Sequence, residues 1–170
     1  MKPDTPESPT VFPRMIDVVR EYLAEYEWDC EEETRSDGGT CFMAGIRMKN
    51  GIVRVFMDVY GDGDRFTITA YPYPYSEISQ EHLAAVALYS VYLNNNRLAR
   101  LELDLSDGVY SMKAGMLVKG SFLNRETIRI LEILVVNGMD EQLDILQEIT
   151  RNGRSPKEAF ELYCKRYGNT

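Results

Sequence analysis

Between Cys41 and Tyr73 the chain reads CFMAGIRMKNGIVRVFMDVYGDGDRFTITAYPY, three alternating apolar and polar runs separated by Asn50-Gly51 and Asp62-Gly63. Alternation with period two is the signature of a strand, and both dipeptides tolerate the positive φ of two-residue hairpin turns. Folding about Asn50-Gly51 sets Met48 opposite Val53, Ile46 opposite Val55, Ala44 opposite Met57 and Phe42 opposite Val59. Folding about Asp62-Gly63 sets Val59 opposite Phe66, Met57 opposite Ile68 and Val55 opposite Ala70. One face is then apolar across all three strands, and a one-residue slip in either hairpin would turn that face to solvent.

The flanking segments supply helices and a second hairpin. From Phe12 or Pro13 to Tyr26, apolar residues at Met15, Val18, Val19, Tyr22, Leu23 and Tyr26 have helical spacing. Trp28 to Thr34 alternates as an edge strand. A three-residue loop over Asp37 to Gly39 sets Thr34 opposite Phe42, Cys30 opposite Ile46 and Trp28 opposite Met48, and the acids Asp29, Glu31, Glu32 and Glu33 suit a charged edge. Pro72 and Pro74 are expected to end strand pairing. A helix capped by Ser76 or Ser79 then runs to about Asn94, with Leu83, Val86, Ala87, Ser90 and Val91 on one face. The run Asn94-Asn95-Asn96 closes it with an Asn in left-handed geometry. A second hairpin on Asp107-Gly108 pairs Leu105 with Tyr110, Leu103 with Met112, Leu101 with Ala114 and Ala99 with Met116. Three helices follow: one capped by Asn124 and stopping near Gly138, one from Asp140 to Ile149, and one opened by Ser155-Pro156. Strands and helices in blocks favour an α+β fold, an antiparallel meander plus a hairpin with helices packed on it.

The chain of 170 residues, with a hydrophobic fraction of 44%, is large enough for one domain with its own core. Residues 1–11, carrying Pro3, Pro6 and Pro9, read as a flexible tail, and residues 12–170 as a single domain. A net charge of −8, with no block of Lys or Arg, argues against binding to nucleic acid or to an anionic membrane. Three cysteines without ligand spacing read as reduced thiols, and no stretch reads as a signal peptide or a membrane span. A cytoplasmic location is expected.

In its second half the chain resembles the YbjN family. The residues that carry the likeness are Leu93-Asn94 closing a helix, an alternating strand to Asp104, the turn Ser106-Asp107-Gly108, a strand and long helix, then Gly153-x-Ser155-Pro156-x-x-Ala159. The element order matches from about Trp28 to Phe160. These are bacterial proteins called putative sensory transduction regulators. The resemblance implies a fold like that of type III secretion chaperones, and a noncatalytic, often dimeric, protein-binding role. It carries over no functional residue.

The residues themselves offer little chemistry. The acids Asp58, Asp62 and Asp64 fail the EF-hand pattern, since the twelfth residue is Thr69 from Asp58 and Tyr73 from Asp62. No metal or other cofactor is expected. His82 is the one histidine, and Ser79 and Cys41, the evident candidates for a nucleophile, are expected on unrelated elements, without the mutual placement of base and nucleophile that catalysis needs. Nucleotide-binding glycine motifs are absent. An enzyme using His82 is the most distant reading.

One feature points to function. The meander face opposite the core carries Met43, Gly45, Arg47, Arg54, Phe56, Tyr60, Thr67, Thr69, Tyr71 and Tyr73. The assumed register puts Gly45 and Thr69 beside Phe56, and Arg47 and Tyr71 beside Arg54. Aromatic residues, Met and Arg are the types enriched at protein interfaces. Three readings of this face compete: a further helix covers it, a protein partner does, or it forms a small-ligand groove. Met43, Arg47, Arg54, Phe56, Tyr60, Tyr71 and Tyr73 are the candidate protein-binding residues, and the expected state is a homodimer. The alternative is a small-molecule-sensing regulator with its ligand between sheet and helices, around Arg54 and Tyr71.

Overall fold

The computed structural model describes residues 11–95, 97–118 and 123–168. The expected tail falls almost wholly outside them, as does Asn96. In chain order the elements are α1 (Val11–Glu25), β1 (Glu31–Thr34), β2 (Thr40–Arg47), β3 (Ile52–Val59), β4 (Arg65–Tyr73), α2 (Leu83–Leu93), β5 (Arg100–Leu103), β6 (Tyr110–Leu117), α3 (Arg125–Thr150) and α4 (Pro156–Tyr167). The strands form one antiparallel sheet in the order β1-β2-β3-β4-β6-β5.

The apolar face assembles as expected. Phe42, Val53, Val55, Met57, Val59, Phe66, Ile68, Ala70, Leu101, Met112 and Ala114 are all buried in one core. Helix α3 lies across β3, β4 and β6, α1 packs on α3 and β3, and α2 packs on β5 and α4. The sheet residues of the core belong to a single face, so all four helices cover that face.

Of the four hairpin registers, one is as expected. The β3–β4 hairpin pairs Val59 with Phe66, Met57 with Ile68 and Val55 with Ala70 as derived, and its Gly63 has φ +69°. The other three are displaced by two residues. Ile46 faces Val53 and Phe42 faces Met57, Thr34 faces Thr40, and Leu103 faces Tyr110. A two-residue slip keeps every side chain on its own face, so hydrophobic alternation cannot detect it. Local hydrogen bonds decide instead. Met48 N–H donates to the Gly51 carbonyl at 2.7 Å, so the two-residue loop is Lys49-Asn50. Asn50 is held by α3: its N–H donates to Asp140 Oδ1 at 2.7 Å and its Nδ2 to the Asp140 carbonyl at 3.1 Å. In the second hairpin Asp104 Oδ1 accepts from the Ser106 N–H and hydroxyl at 2.8 and 2.6 Å. Gly108, with φ +79°, closes a longer loop that leaves Leu105 exposed.

The ends of several elements also differ. Strand β1 is shorter than Trp28–Thr34 and exposed throughout. The ladder from β4 to β6 ends at Ala70 opposite Met112, but toward β3 the pairing continues through Pro72 to Tyr73. Proline therefore ends pairing on one side only. Helix α2 begins after His82, without a side-chain cap from Ser76 or Ser79. It buries Leu83, Val86, Tyr89 and Leu93, and Val91 is exposed. Asn94 closes it in right-handed geometry. The Asn94 amide pairs with both the N–H and the carbonyl of Leu101, at 2.8 and 2.9 Å. The two helices expected on either side of Gly138 are one helix of 26 residues. A helical glycine costs only about 1 kcal/mol, and here it permits close approach, since a Cβ at Gly138 would lie 2.9 Å from Met112 Cε. The remaining caps are as expected. The Asn124 side chain accepts from the Thr127 N–H, and Ser155 with Glu158 forms a capping box.

Candidate functional site: the outer face of the sheet

With the helices on one side, the other side of the sheet carries the candidate residues. Successive rows across the strands are fixed by the pairing. In one row Glu31, Met43, Phe56, Thr69, Lys113 and Arg100 are neighbours from β1 to β5. In the next, Gly45, Arg54 and Tyr71 lie side by side, and beyond them Arg47, Ile52 and Tyr73. The two-residue displacement of β2 thus puts Met43, not Gly45, beside Phe56, and Gly45, not Arg47, beside Arg54. The neighbours contributed by β4, Thr69 and Tyr71, are as expected.

Phe56, Tyr71 and Tyr75 form an aromatic chain. The rings of Phe56 and Tyr71 meet edge-on with centroids 5.5 Å apart, and those of Tyr71 and Tyr75 at 5.6 Å. The Arg54 guanidinium lies 5.7 Å from the Phe56 ring centre, a cation–π contact that leaves its donors free. Burial pushes the Tyr71 hydroxyl above its usual range, with Ser111 and Lys113 acting against the shift. Tyr73 and Tyr75 are each 52% exposed. A shallow groove beside this cluster is lined by Glu31, Met43, Gly45, Arg47, Arg54 and Tyr73 among others.

Tyr60 stands apart, just past the end of β3 and four residues from Phe56, with Arg65 4.4 Å above its ring. Between them lies an ion pair that sequence reading missed: Arg35 Nη2 is 2.5 Å from Asp58 Oδ1. Asp58 is buried, and burial together with that carboxylate pushes the neighbouring Cys41 thiol up to about 11. A lone acid in a central strand signals a needed cation, but only the folded loop shows that Arg35 supplies it. Tyr75, Lys113 and Arg100 were missed for a different reason. They join the face through the end of β4 and the β4–β6 pairing, which no local pattern specifies.

The other candidates resolve into structure. Asp62 accepts from the Asp64 N–H at 3.1 Å and from Arg65 Nε at 2.9 Å. Among the described residues, no three His, Cys, Asp or Glu side chains gather into a metal site. Contrary to the sequence reading, Ser79 and His82 do meet, with Oγ 2.9 Å from Nδ1. Glu81 approaches that same nitrogen, at 3.5 Å. A base must be oriented through one ring nitrogen while it serves the nucleophile with the other, so this is the turn that leads into α2. A ligand between sheet and helices would not lie around Arg54 and Tyr71, which sit on the sheet face turned away from the helices. No described helix is long and apolar enough to cross a membrane.

The arrangement of a six-stranded antiparallel sheet, helices on one face and an open second face, defines an α+β fold of the type III secretion chaperone kind. Among solved structures the chain is similar to the crystal structure of the ExsC–ExsE complex, with TM-score 0.56 and 11% sequence identity over 80% of this chain and 96% of that one. It is also similar to the HopA1–SchA chaperone–effector complex, with TM-score 0.48 and 15% identity over 76% of this chain and 91% of that one. No protein-family model and no curated protein sequence matches the chain.

Proposed function

We propose that this chain is a noncatalytic protein-binding module, chaperone-like or regulatory, whose contact surface is the outer face of its sheet. The observation that carries this reading is that face itself: the described helices all lie on the other side, yet it presents an aromatic chain and the arginines Arg47, Arg54 and Arg100. A plain solvent face would read Thr, Lys and Glu, and exposed apolar patches of this composition mark contact sites. The likeness to the ExsC–ExsE structure, a chain of this fold seen in complex with another protein, supports the reading. The YbjN resemblance implies the same role, and with it goes the proposal of a homodimer in a bacterial cytoplasm. The net charge of −8 weighs against nucleic acid as the partner.

The test is affinity capture from the source cell with wild type and Phe56→Glu, read by mass spectrometry. The substitution puts a charge at the centre of the face without touching the core. Partners recovered with wild type are expected to be lost with Phe56→Glu, and an unchanged set of partners would overturn the reading.

A further inference from the structure

We propose that the cavity between α2, α4 and the start of β5 binds a carboxylate with an aromatic or apolar body. It lies at the β5 edge of the sheet and is independent of the protein-contact reading of the outer face. Helix α2, LAAVALYSVYL, has no charged residue, and a helix that is apolar all round is normally covered. Yet Val91 is 67% and Tyr92 38% exposed, and both line the cavity together with Phe160 and Tyr163 of α4. The Tyr92 and Phe160 rings stack with their centroids 5.9 Å apart. The cavity has a volume of about 910 Å³, the size of a small-molecule site.

Charge decides what the cavity takes. Arg97 and Arg100 line it, and no Asp or Glu is among the described residues that do. Neither arginine has an ion-pair partner among the described residues. Arg97 lies 4.7 Å over the Tyr163 ring, a cation–π contact that places the guanidinium and leaves N–H donors at its edge. Glu141, whose carboxyl feels the Arg97 charge, is held by the Tyr163 hydroxyl at 2.8 Å and lies outside the cavity lining. Two guanidinium groups beside aromatic walls suit an anion with an apolar body. The helix ends choose between anions. Phosphates are held at helix N-termini, whereas the ends that border this cavity are C-termini, at Asn94 of α2 and Gly168 of α4. Their carbonyls disfavour a multiply charged group, which leaves the singly charged carboxylate, free or at the end of a peptide.

Isothermal titration calorimetry with N-acetylphenylalanine, its uncharged amide and inorganic phosphate separates the body of the ligand from its charge. N-acetylphenylalanine is expected to bind wild type with a Kd below about 1 mM, and the amide and phosphate roughly tenfold or more weakly. Arg97→Gln and Arg100→Gln are each expected to weaken the acid roughly tenfold. Cys164→Trp, at an exposed position on the cavity wall, is expected to abolish binding by filling the site. Arg100 and Cys164 are both exposed, so their variants should keep the wild-type thermal midpoint, and lost binding in them is not lost folding. A short peptide ending in phenylalanine distinguishes the two sources of the carboxylate. Binding tighter than N-acetylphenylalanine assigns the site to a peptide end, binding no tighter assigns it to a free acid, and both support the site. An amide as tight as the acid, no saturable heat up to about 10 mM, or variants as tight as wild type would overturn the proposal. The outer face is judged separately by the Phe56→Glu capture, since Phe56 lies outside this cavity.

Discussion

Asn50 shows how a single residue can serve another end than its sequence context suggests. Next to Gly51 it looks like the corner of a hairpin, but its backbone and side chain both bond Asp140 on α3, at 2.7, 3.1 and 3.2 Å. The β2–β3 turn is thereby clamped to the helix layer, and Asp140 is buried. Asn50→Ala leaves that carboxylate short of partners and should cost about 1–3 kcal/mol, read as a lower urea midpoint at unchanged slope. Glu148 does the corresponding work at the α3–α4 junction. Asn152 and Arg154 donate to it at 2.9 and 2.8 Å, and with Arg166 they hold its carboxyl at about 2. Because the folded-state value lies below the unfolded one of about 4.3, this contribution is complete above that pH and is lost as pH falls through 2. The gap in stability between wild type and Glu148→Gln should therefore narrow from about pH 5 to about pH 2, and a constant gap would contradict the assignment. At this scale the sequence was legible in one respect. For the core and for the candidate residues, alternation told which face each side chain takes, but not which side chain lies beside it.

Among the elements, α3 is the clearest case of packing overriding punctuation. Gly138 reads as a stop, but buried Val135, Val136, Met139 and Gln142 surround it, and the missing Cβ lets the helix settle onto Met112. Gly138→Ala meets only the flexible end of that methionine, so its steric cost and its propensity gain nearly cancel, leaving stability within about 1 kcal/mol. Gly138→Leu should cost about 1–3 kcal/mol through overpacking. A thermal melt of both distinguishes a packing glycine from a permissive one, for which the two would behave alike. The hairpins teach a related lesson. The β3–β4 turn was read correctly because the strand alternation and the turn glycine agree on one register. At the other three, a displacement of two residues satisfies the same alternation, and the choice was made by Asp104, by Asp140 and by the loop through Gly38. Asp104 and Asp140 themselves lie outside the dipeptides that advertise the turns.

For the molecule as a whole, the sequence disclosed an α+β fold and a suspect face, but not the joining of the meander to the second hairpin through β4 and β6. That pairing is non-local, and it extends the face by Lys113, Ser111 and Arg100. It also leaves two sheet edges with different protection. Asn94 occupies the backbone groups of Leu101 on β5, whereas β1 is short and acidic. What remains broadly available is the outer face, where Phe56, Tyr71 and Arg54 gather. The most direct measurement is photo-crosslinking in the source cell, with a photoreactive side chain at position 71 and, as a control, at position 21 on the exposed side of α1. Discrete protein adducts from position 71 and none in common with position 21 are the predicted result. Position 71 yielding no adduct, or the same background as position 21, would contradict the claim that the back of this sheet is where the protein meets its partner.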